Sequence, residues 1–499
     1  MKWTFVNPLM FFCVACQCQG SVNTAIDVFH SGSEKISPSY RILAETIRTK
    51  LEDAPNLEKI EKALVSLSSA QHTLKGLDGA AHEAYQRTHR NAGDISGASG
   101  RAKRSAARAG STADALLAAE LTELLENPDI FELELDNANN INGTLAGRLI
   151  VANVTQLRLD RLTNISCLVL YEPSYTGGSG LDHGGIDDLA EDSSAKSKGR
   201  LLVVVSDSAA NDLTRIMDIL DSNPLQVGLH AGLVANEVAS VQPALYHAAG
   251  RLVRALEPLL ENYNSTEVAI HFVGRSLAGG VASLAATILD GSLPLPSDRR
   301  MKSKRRGSRD QVAFTQKTAN KNFTRTELEG FGRGRSSAMV LGTPPCLSAN
   351  VKAAFVKSII YGDDVVCRTT HDSLERLVSR TKKALKGGIL GRNLGWVTDT
   401  VSLTVSSMSR HAQGSEGEEE RLSVPGQAFL IRPRRLGGTC SMHEVGGQKG
   451  GREALRAAIL WQLSDILLSS SFWKHHQLDS YIHGLAKVQL RGVDDKEQY

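Results

Sequence analysis

From about residue 113 onward the chain alternates between short unbroken apolar runs and stretches with helical periodicity. Leu201 to Val205 is a continuous apolar run ending in Ser206-Asp207-Ser208, the pattern of a parallel strand buried on both faces. In the amphipathic stretch 211–220, Leu213, Ile216, Met217 and Leu220 share one helical face. A longer helix is expected over 243–263. Val268 to Val273 reads as a second buried strand and Leu277 to Leu289 as the helix after it. Strands are expected again at 338–342, 355–361 and 427–432, with helices at 350–355, 373–385 and 451–470. Upstream, Leu116 to Leu125 is helical, and the segments around 147–151 and 166–170 suit strands. This alternation predicts an α/β fold with a mostly parallel central sheet flanked by helices.

The first part of the chain reads differently. Lys2 precedes a mostly apolar run, Trp3 to Ala15, and the small residues Cys18 and Gly20 suit a signal-peptidase cut that removes residues 1–20. The run is too short for a stable transmembrane helix. The alternative is an uncleaved anchor palmitoylated at Cys13, Cys16 or Cys18. Over 21–112, helical spacing recurs in Ile42, Leu43, Ile47 and Leu51, and in Leu57, Ile60, Leu64 and Leu67, which predicts a helical N-terminal extension or pro-region. Arg101-Ala102-Lys103-Arg104 follows a Gly- and Ser-rich stretch and resembles a proprotein-convertase site; a solvated basic loop reads equally well. The main domain is expected over 113–490, with mobile insertions at 292–336 and 408–424.

Composition adds little. Charged residues make up 22% and hydrophobic ones 41% of 499 residues, ordinary for a globular protein, and the net charge is +3. The basic insertion at 292–336 could meet anionic headgroups, but it lacks the interleaved aromatics of a nucleic-acid surface. After loss of the leader, Cys167, Cys346, Cys367 and Cys440 could form two disulfides in an oxidising compartment. Sequons at Asn142, Asn153, Asn164, Asn264 and Asn322 favour, with the leader, a secreted or lumenal glycoprotein. No histidine or cysteine cluster has metal-ligand spacing, so neither a metal nor another cofactor is expected. The oligomeric state is left open.

The strongest chemical signal is Gly274-Arg275-Ser276-Leu277-Ala278-Gly279-Gly280, which sits where a buried strand gives way to a helix. A serine on so sharp a turn projects its hydroxyl above the sheet edge. The turn crowds the positions two before and two after it, and Gly274 and Ala278 are small enough. The helix N-terminus that follows directs backbone N–H groups, including that of Leu277, toward a developing oxyanion. These features predict an α/β-hydrolase fold with Ser276 as nucleophile.

These residues resemble the class 3 (fungal-type) lipases, which include the diacylglycerol lipases and whose elbow usually reads G-H-S-L-G. The resemblance extends to Gly342-Thr343-Pro344-Pro345, Asp363-Asp364-Val365-Val366-Cys367-Arg368, Val424-Pro425-Gly426-Gln427 and His476-Gln477-Leu478-Asp479-Ser480-Tyr481. It implies Asp364 as the acid, with Asp363 as competitor, and His476 as the base, with His475 and His483 as rivals. The chain order Ser276, Asp364, His476 is the one α/β hydrolases use. An imidazole is needed to take the serine proton, and a carboxylate to orient the imidazole.

The resemblance also implies a second oxyanion donor after the strand 201–205. There the family's R-G-T or R-G-S is replaced by Ser206-Asp207-Ser208, with Ser208 the nominee and Ser206 its competitor. The stretch 211–220 falls at the family's lid, although helices of this pattern more commonly pack on a core. His230 is read as structural. The expected substrate is a lipid ester, with peripheral contact to a membrane or lipid surface and no nucleic-acid partner. A hydrolase scaffold that binds lipid without turnover is the competing expectation, favoured by the Ser-Asp-Ser departure and by Arg275.

Overall fold

A computed structural model of the chain describes residues 38–51, 55–68, 71, 98–126, 149–157, 165–173, 199–229 except 209, 238–262, 268–296, 331–386 except 352, 421–433, 440–445, 463 and 465–497. In chain order the named elements are helices α1 (Pro38–Thr49) and α2 (Ala98–Glu126), strands β1 (Leu149–Leu157), β2 (Ile165–Glu172) and β3 (Gly199–Asp207), helix α3 (Leu213–Leu220), strands β4 (Leu225–Gly228) and β5 (Val238–Val241), and helix α4 (Pro243–Asn262). Then come β6 (Val268–Arg275), α5 (Ser276–Asp290), β7 (Ser336–Leu341), β8 (Leu347–Ser348), β9 (Val356–Tyr361), α6 (His371–Lys386), β10 (Leu422–Ser423), β11 (Gln427–Pro433), β12 (Cys440–Val445) and α7 (Leu478–Glu497).

Eight strands form the central sheet in the order β1-β2-β3-β6-β7-β9-β11-β12. The five inner strands β3, β6, β7, β9 and β11 run parallel, and β1, β2 and β12 are antiparallel edges. Every residue of β3, β7 and β9 is buried, which accounts for their unbroken apolar runs. A small antiparallel sheet, β10-β8-β5-β4, lies apart from the central one in pairing. Helices cover both faces, and this is the α/β-hydrolase fold, with a mostly parallel central sheet.

Alternation along β6 divides the two larger of three apolar clusters. Val268, Ile270 and Phe272 belong to the larger one, with α1, α3, α4, α5 and α6. Val273 belongs to the smaller one, where Ala115, Ala118, Leu121 and Leu124 of α2 and Tyr481 and Leu485 of α7 pack. The strand period of two thus aims neighbouring β6 side chains at different helices.

Several expectations are revised or sharpened. The N-terminal helical stretch packs directly onto the larger core: Leu43, Ile47, Ile60 and Leu64 have no exposed surface. The basic residues 101–104, expected in a flexible linker, lie within one continuous helix with 113–126. Alanine, arginine and lysine there are good helix formers, and the Gly/Ser signal that suggested a linker stops at residue 100. Residues 350, 351 and 353–355 are turn, bend and loop rather than the expected helix, and Asn350 donates to the Val238 carbonyl at 2.8 Å and accepts from Ser348. Helix α3 is buried along Leu213, Ile216, Met217, Ile219 and Leu220, so its apolar face lies on the core.

The four cysteines after residue 20, Cys167, Cys346, Cys367 and Cys440, are all free thiols, buried on different parts of the chain rather than paired in two disulfides. Burial pushes the Cys167 and Cys346 thiols up to about 12, which keeps them protonated and apolar in behaviour. Asn153 lies within β1, opposite Leu168 of β2. The other four sequons, His230, the expected leader, most of the expected helix at 451–470, and most of both insertions lie outside the described residues. Among the described residues no helix is long and apolar enough to cross a membrane.

Candidate active site

The turn from β6 into α5 carries Ser276 at φ 56°, alone among the described non-glycine residues in having a positive φ. A backbone of this kind costs on the order of 1–3 kcal/mol and persists only where its surroundings over-determine it. Here a strand buried at every residue but Ala269 enters a helix that is buried through Leu289. The turn also needs a glycine two residues earlier. A Cβ at Gly274 would lie 2.8 Å from the Ala278 carbonyl oxygen and 3.0 Å from the Gly279 nitrogen. The small side chain of Ala278 is wholly enclosed.

The hydroxyl of Ser276 lies 3.0 Å from Nε2 of His476. The other imidazole nitrogen, Nδ1, lies 3.0 Å from both carboxylate oxygens of Asp364. All three side chains are completely buried. Asp364 comes from the loop directly after β9, and His476 from a 3-10 turn, Lys474–His476, just before α7. The carboxylate is further held by the Val366 N–H at 2.8 Å and by the Tyr481 hydroxyl. Burial alone would raise its pKa, but His476, Tyr481 and the Val366 N–H together hold it below the ordinary carboxylate range. Burial and the neighbouring Asp364 charge drive the Tyr481 phenol well above its usual value, so it stays a donor.

Gly342, at φ 58°, makes room for this cluster. A Cβ there would come within 2.8 Å of Asp364 Oδ2 and 3.2 Å of His476 Nδ1. The rival residues serve other ends. His475 Nδ1 accepts from the Asp363 N–H at 2.9 Å and its ring stands edge-on to Tyr361. His483 is exposed on α7.

Of the two oxyanion nominees, Leu277 is the second residue of α5, directly after the serine, and is buried, and the first N–H groups of a helix have no partner within it. Ser208 is exposed in the turn that ends β3, while the Ser276 group is enclosed. Ser206, its competitor, is buried in β3 opposite Ser166. Sequence reasoning did not find the parts that three residues play. Tyr481 sits in the motif that nominated His476, yet its bond to the acid depends on the fold. Trp473 stacks on the His476 ring at 5.2 Å. Arg275 turns away from the serine toward α2. Among the described residues no group of three His, Cys, Asp or Glu side chains could hold a metal.

No protein-family model matches the chain, and no curated protein matches it. Among solved structures it is similar to a Rhizomucor miehei lipase–propeptide complex, at 12% identity and a TM-score of 0.27, over 51% of this chain and 60% of that one. It is also similar to lipase II from Rhizopus niveus, at 11% identity and 0.30, over 51% and 73%. A triacylglycerol lipase from Penicillium expansum aligns at 12% identity and 0.31, over 72% of this chain and 96% of that one. The chain thus spans about 60% of the length of the Rhizomucor complex it matches.

Proposed function

We propose that this chain is a serine ester hydrolase acting on lipid acyl esters, with Ser276 as nucleophile, His476 as base and Asp364 as the acid that orients it. The observation that carries the reading is the unbroken hydrogen-bonded series from Ser276 through His476 to Asp364, built on a serine with strained backbone. A buried Ser-His-Asp series has a plain chemical use. His476 Nε2 takes the hydroxyl proton as Ser276 Oγ attacks an ester carbonyl carbon, and Asp364 stabilises the resulting imidazolium. The oxyanion gains charge beside the first turn of α5, where the Leu277 N–H is the nominated donor. Collapse breaks the ester C–O bond and returns the proton from His476 to the departing alcohol. Water, activated by the same imidazole, then hydrolyses the acyl-enzyme.

Because Ser276 has no exposed surface, substrate must displace part of the covering chain to reach it. The choice of lipid esters rests on the motif resemblance to class 3 lipases. Passage through the secretory route, with loss of residues 1–20 and glycosylation at some of the five sequons, belongs to the same proposal. So do a helical N-terminal extension or pro-region over 21–112 and peripheral contact with a lipid surface.

The test is turnover of acylglycerol emulsions and short-chain nitrophenyl esters by purified full chain and by Ser276→Ala. Hydrolysis that disappears in the variant supports the reading. Equal rates in both would remove Ser276 from it, and lipid binding without turnover in the wild type would favour a non-catalytic lipid-binding scaffold.

A further inference from the structure

Arg275 stands immediately before the proposed nucleophile, and alternation along β6 aims it at the face covered by α2. It is 1% exposed. A guanidinium taken out of water is costly unless its donors are met, and here four donor contacts are. Nε donates to Glu126 Oε1 and Nη2 to Glu126 Oε2, each at 3.0 Å, a two-pronged pair with the last residue of α2. Nη2 also donates to Asn211 Oδ1 at 3.0 Å, in the loop between β3 and α3. Nη1 donates at 3.0 Å to the backbone carbonyl of His476 itself.

Three separate chain segments therefore meet on one side chain, and one of them carries the proposed base. The imidazole ring is held by Asp364 on one side and stacked against Trp473, whereas its backbone is held by Arg275. The planar fork of arginine is itself oriented by the carboxylate of Glu126. We propose that Arg275, locked by Glu126, is a positioning residue that fixes the His476 backbone and through it the Nε2–Oγ distance to Ser276. This rests on the hydrolase reading for its catalytic consequence, but the geometric claim stands apart from it.

The test uses the full chain with Arg275→Lys, Glu126→Gln, their combination, and Lys50→Ala, whose partner Asp221 lies outside the site, as control. Two quantities are read on variants whose melting confirms folding. One is the second-order rate of fluorophosphonate labelling; the other is the Nδ1–H resonance in ¹⁵N-histidine spectra, assigned by its loss in His476→Gln. Glu126→Gln keeps the side chain's volume and one acceptor oxygen. It is expected to slow labelling by roughly 10- to 100-fold, the scale of a sub-ångström to ångström misplacement, and to shift or broaden the resonance.

Arg275→Lys should do the same, and the double variant should be no slower than the slower single, because both act through one contact. Glu126→Asp should recover part of the loss, and Lys50→Ala should change neither quantity. Should the Arg275 and Glu126 variants fail to fold, Asn211→Ala, which leaves the buried ion pair intact, is expected to give a smaller change in the same direction. Folded variants with unchanged resonance and labelling rate overturn the proposal. A wild type that does not label counts against the hydrolase reading alone, since the resonance still reports whether the clamp sets His476.

Discussion

The Tyr481 hydroxyl donates to Oδ2 of Asp364, one of the two carboxylate oxygens that His476 Nδ1 faces at 3.0 Å. The same hydroxyl accepts from the Tyr361 N–H at 3.2 Å, so β9 fixes the hydroxyl through which α7 holds the acid. Tyr481→Phe should leave the fold intact and slow turnover by about tenfold, because the acid loses one of the donors that keep it ionised and oriented. Asp364 would then protonate more readily, which moves the acidic limb of the pH–rate profile to higher pH. A profile measured from pH 4 to 9 checks this, and an unmoved limb would separate Tyr481 from the site.

The elbow has little tolerance for an added methyl group. Gly274→Ala would press a Cβ onto the Ala278 carbonyl, a backbone atom that cannot rotate away. Overpacking of this kind costs roughly 1–3 kcal/mol. The expected result is a lower melting temperature together with loss of serine reactivity. A variant with wild-type melting and labelling would mean that the turn is looser than its geometry.

Much of this site was legible in the sequence, and for identifiable reasons. The serine turn stands out because the strand before it is uniformly apolar and the residues on either side are small. Strand limits fell within a few residues wherever an apolar run is buried on both faces, as in β7 and β9. What stayed hidden depends on partners distant in the chain. Arg275 reads as an odd residue beside the serine until Glu126, 149 positions away, is brought to it. Helix α2 begins in a small, basic stretch whose helical character shows only when α7 and the sheet pack against its later half. The turn at Asn350 is tied by its reach to Val238, 112 residues earlier, which no local pattern records.

The N-terminal segment is tied to the chain that leads to His476. The Gln71 amide donates to the Ile466 carbonyl at 2.9 Å and accepts from the Leu468 N–H at 2.6 Å, Ser68 donates to the Leu468 carbonyl, and Tyr40 meets Phe472 edge-on. Gln71→Leu would leave two buried backbone groups without that partner, at about 1–3 kcal/mol each. Chemical denaturation should show the loss, with a parallel fall in fluorophosphonate labelling. Unchanged stability would mean that this segment contributes little to holding residues 465–473.

His271 gives the stability a definite pH dependence. Burial first, then the charges of Arg200 and Lys357, push its pKa down to about 3, so the folded chain keeps it neutral. An unfolded chain would protonate it near 6.5. Its contribution is therefore fully present above about pH 6.5 and is lost as pH falls from there toward 3, at up to roughly 1.4 kcal/mol per pH unit. Asp364, whose pKa is depressed, acts only below the ordinary carboxylate value near 4 and leaves the upper part of this window untouched. His271→Gln should flatten the decline in unfolding free energy between pH 6.5 and 4. An unchanged slope would assign the decline to other groups.

The central claim is that Ser276 is made nucleophilic by His476 and Asp364, and the most direct measurement is where a fluorophosphonate attaches. Native full chain should carry a single phosphonyl adduct, mapped by peptide mass spectrometry to Ser276. The adduct should be absent after urea unfolding and slowed by at least about 1000-fold in His476→Ala. No adduct on the native chain, or an adduct on another residue that persists in Ser276→Ala, would contradict it.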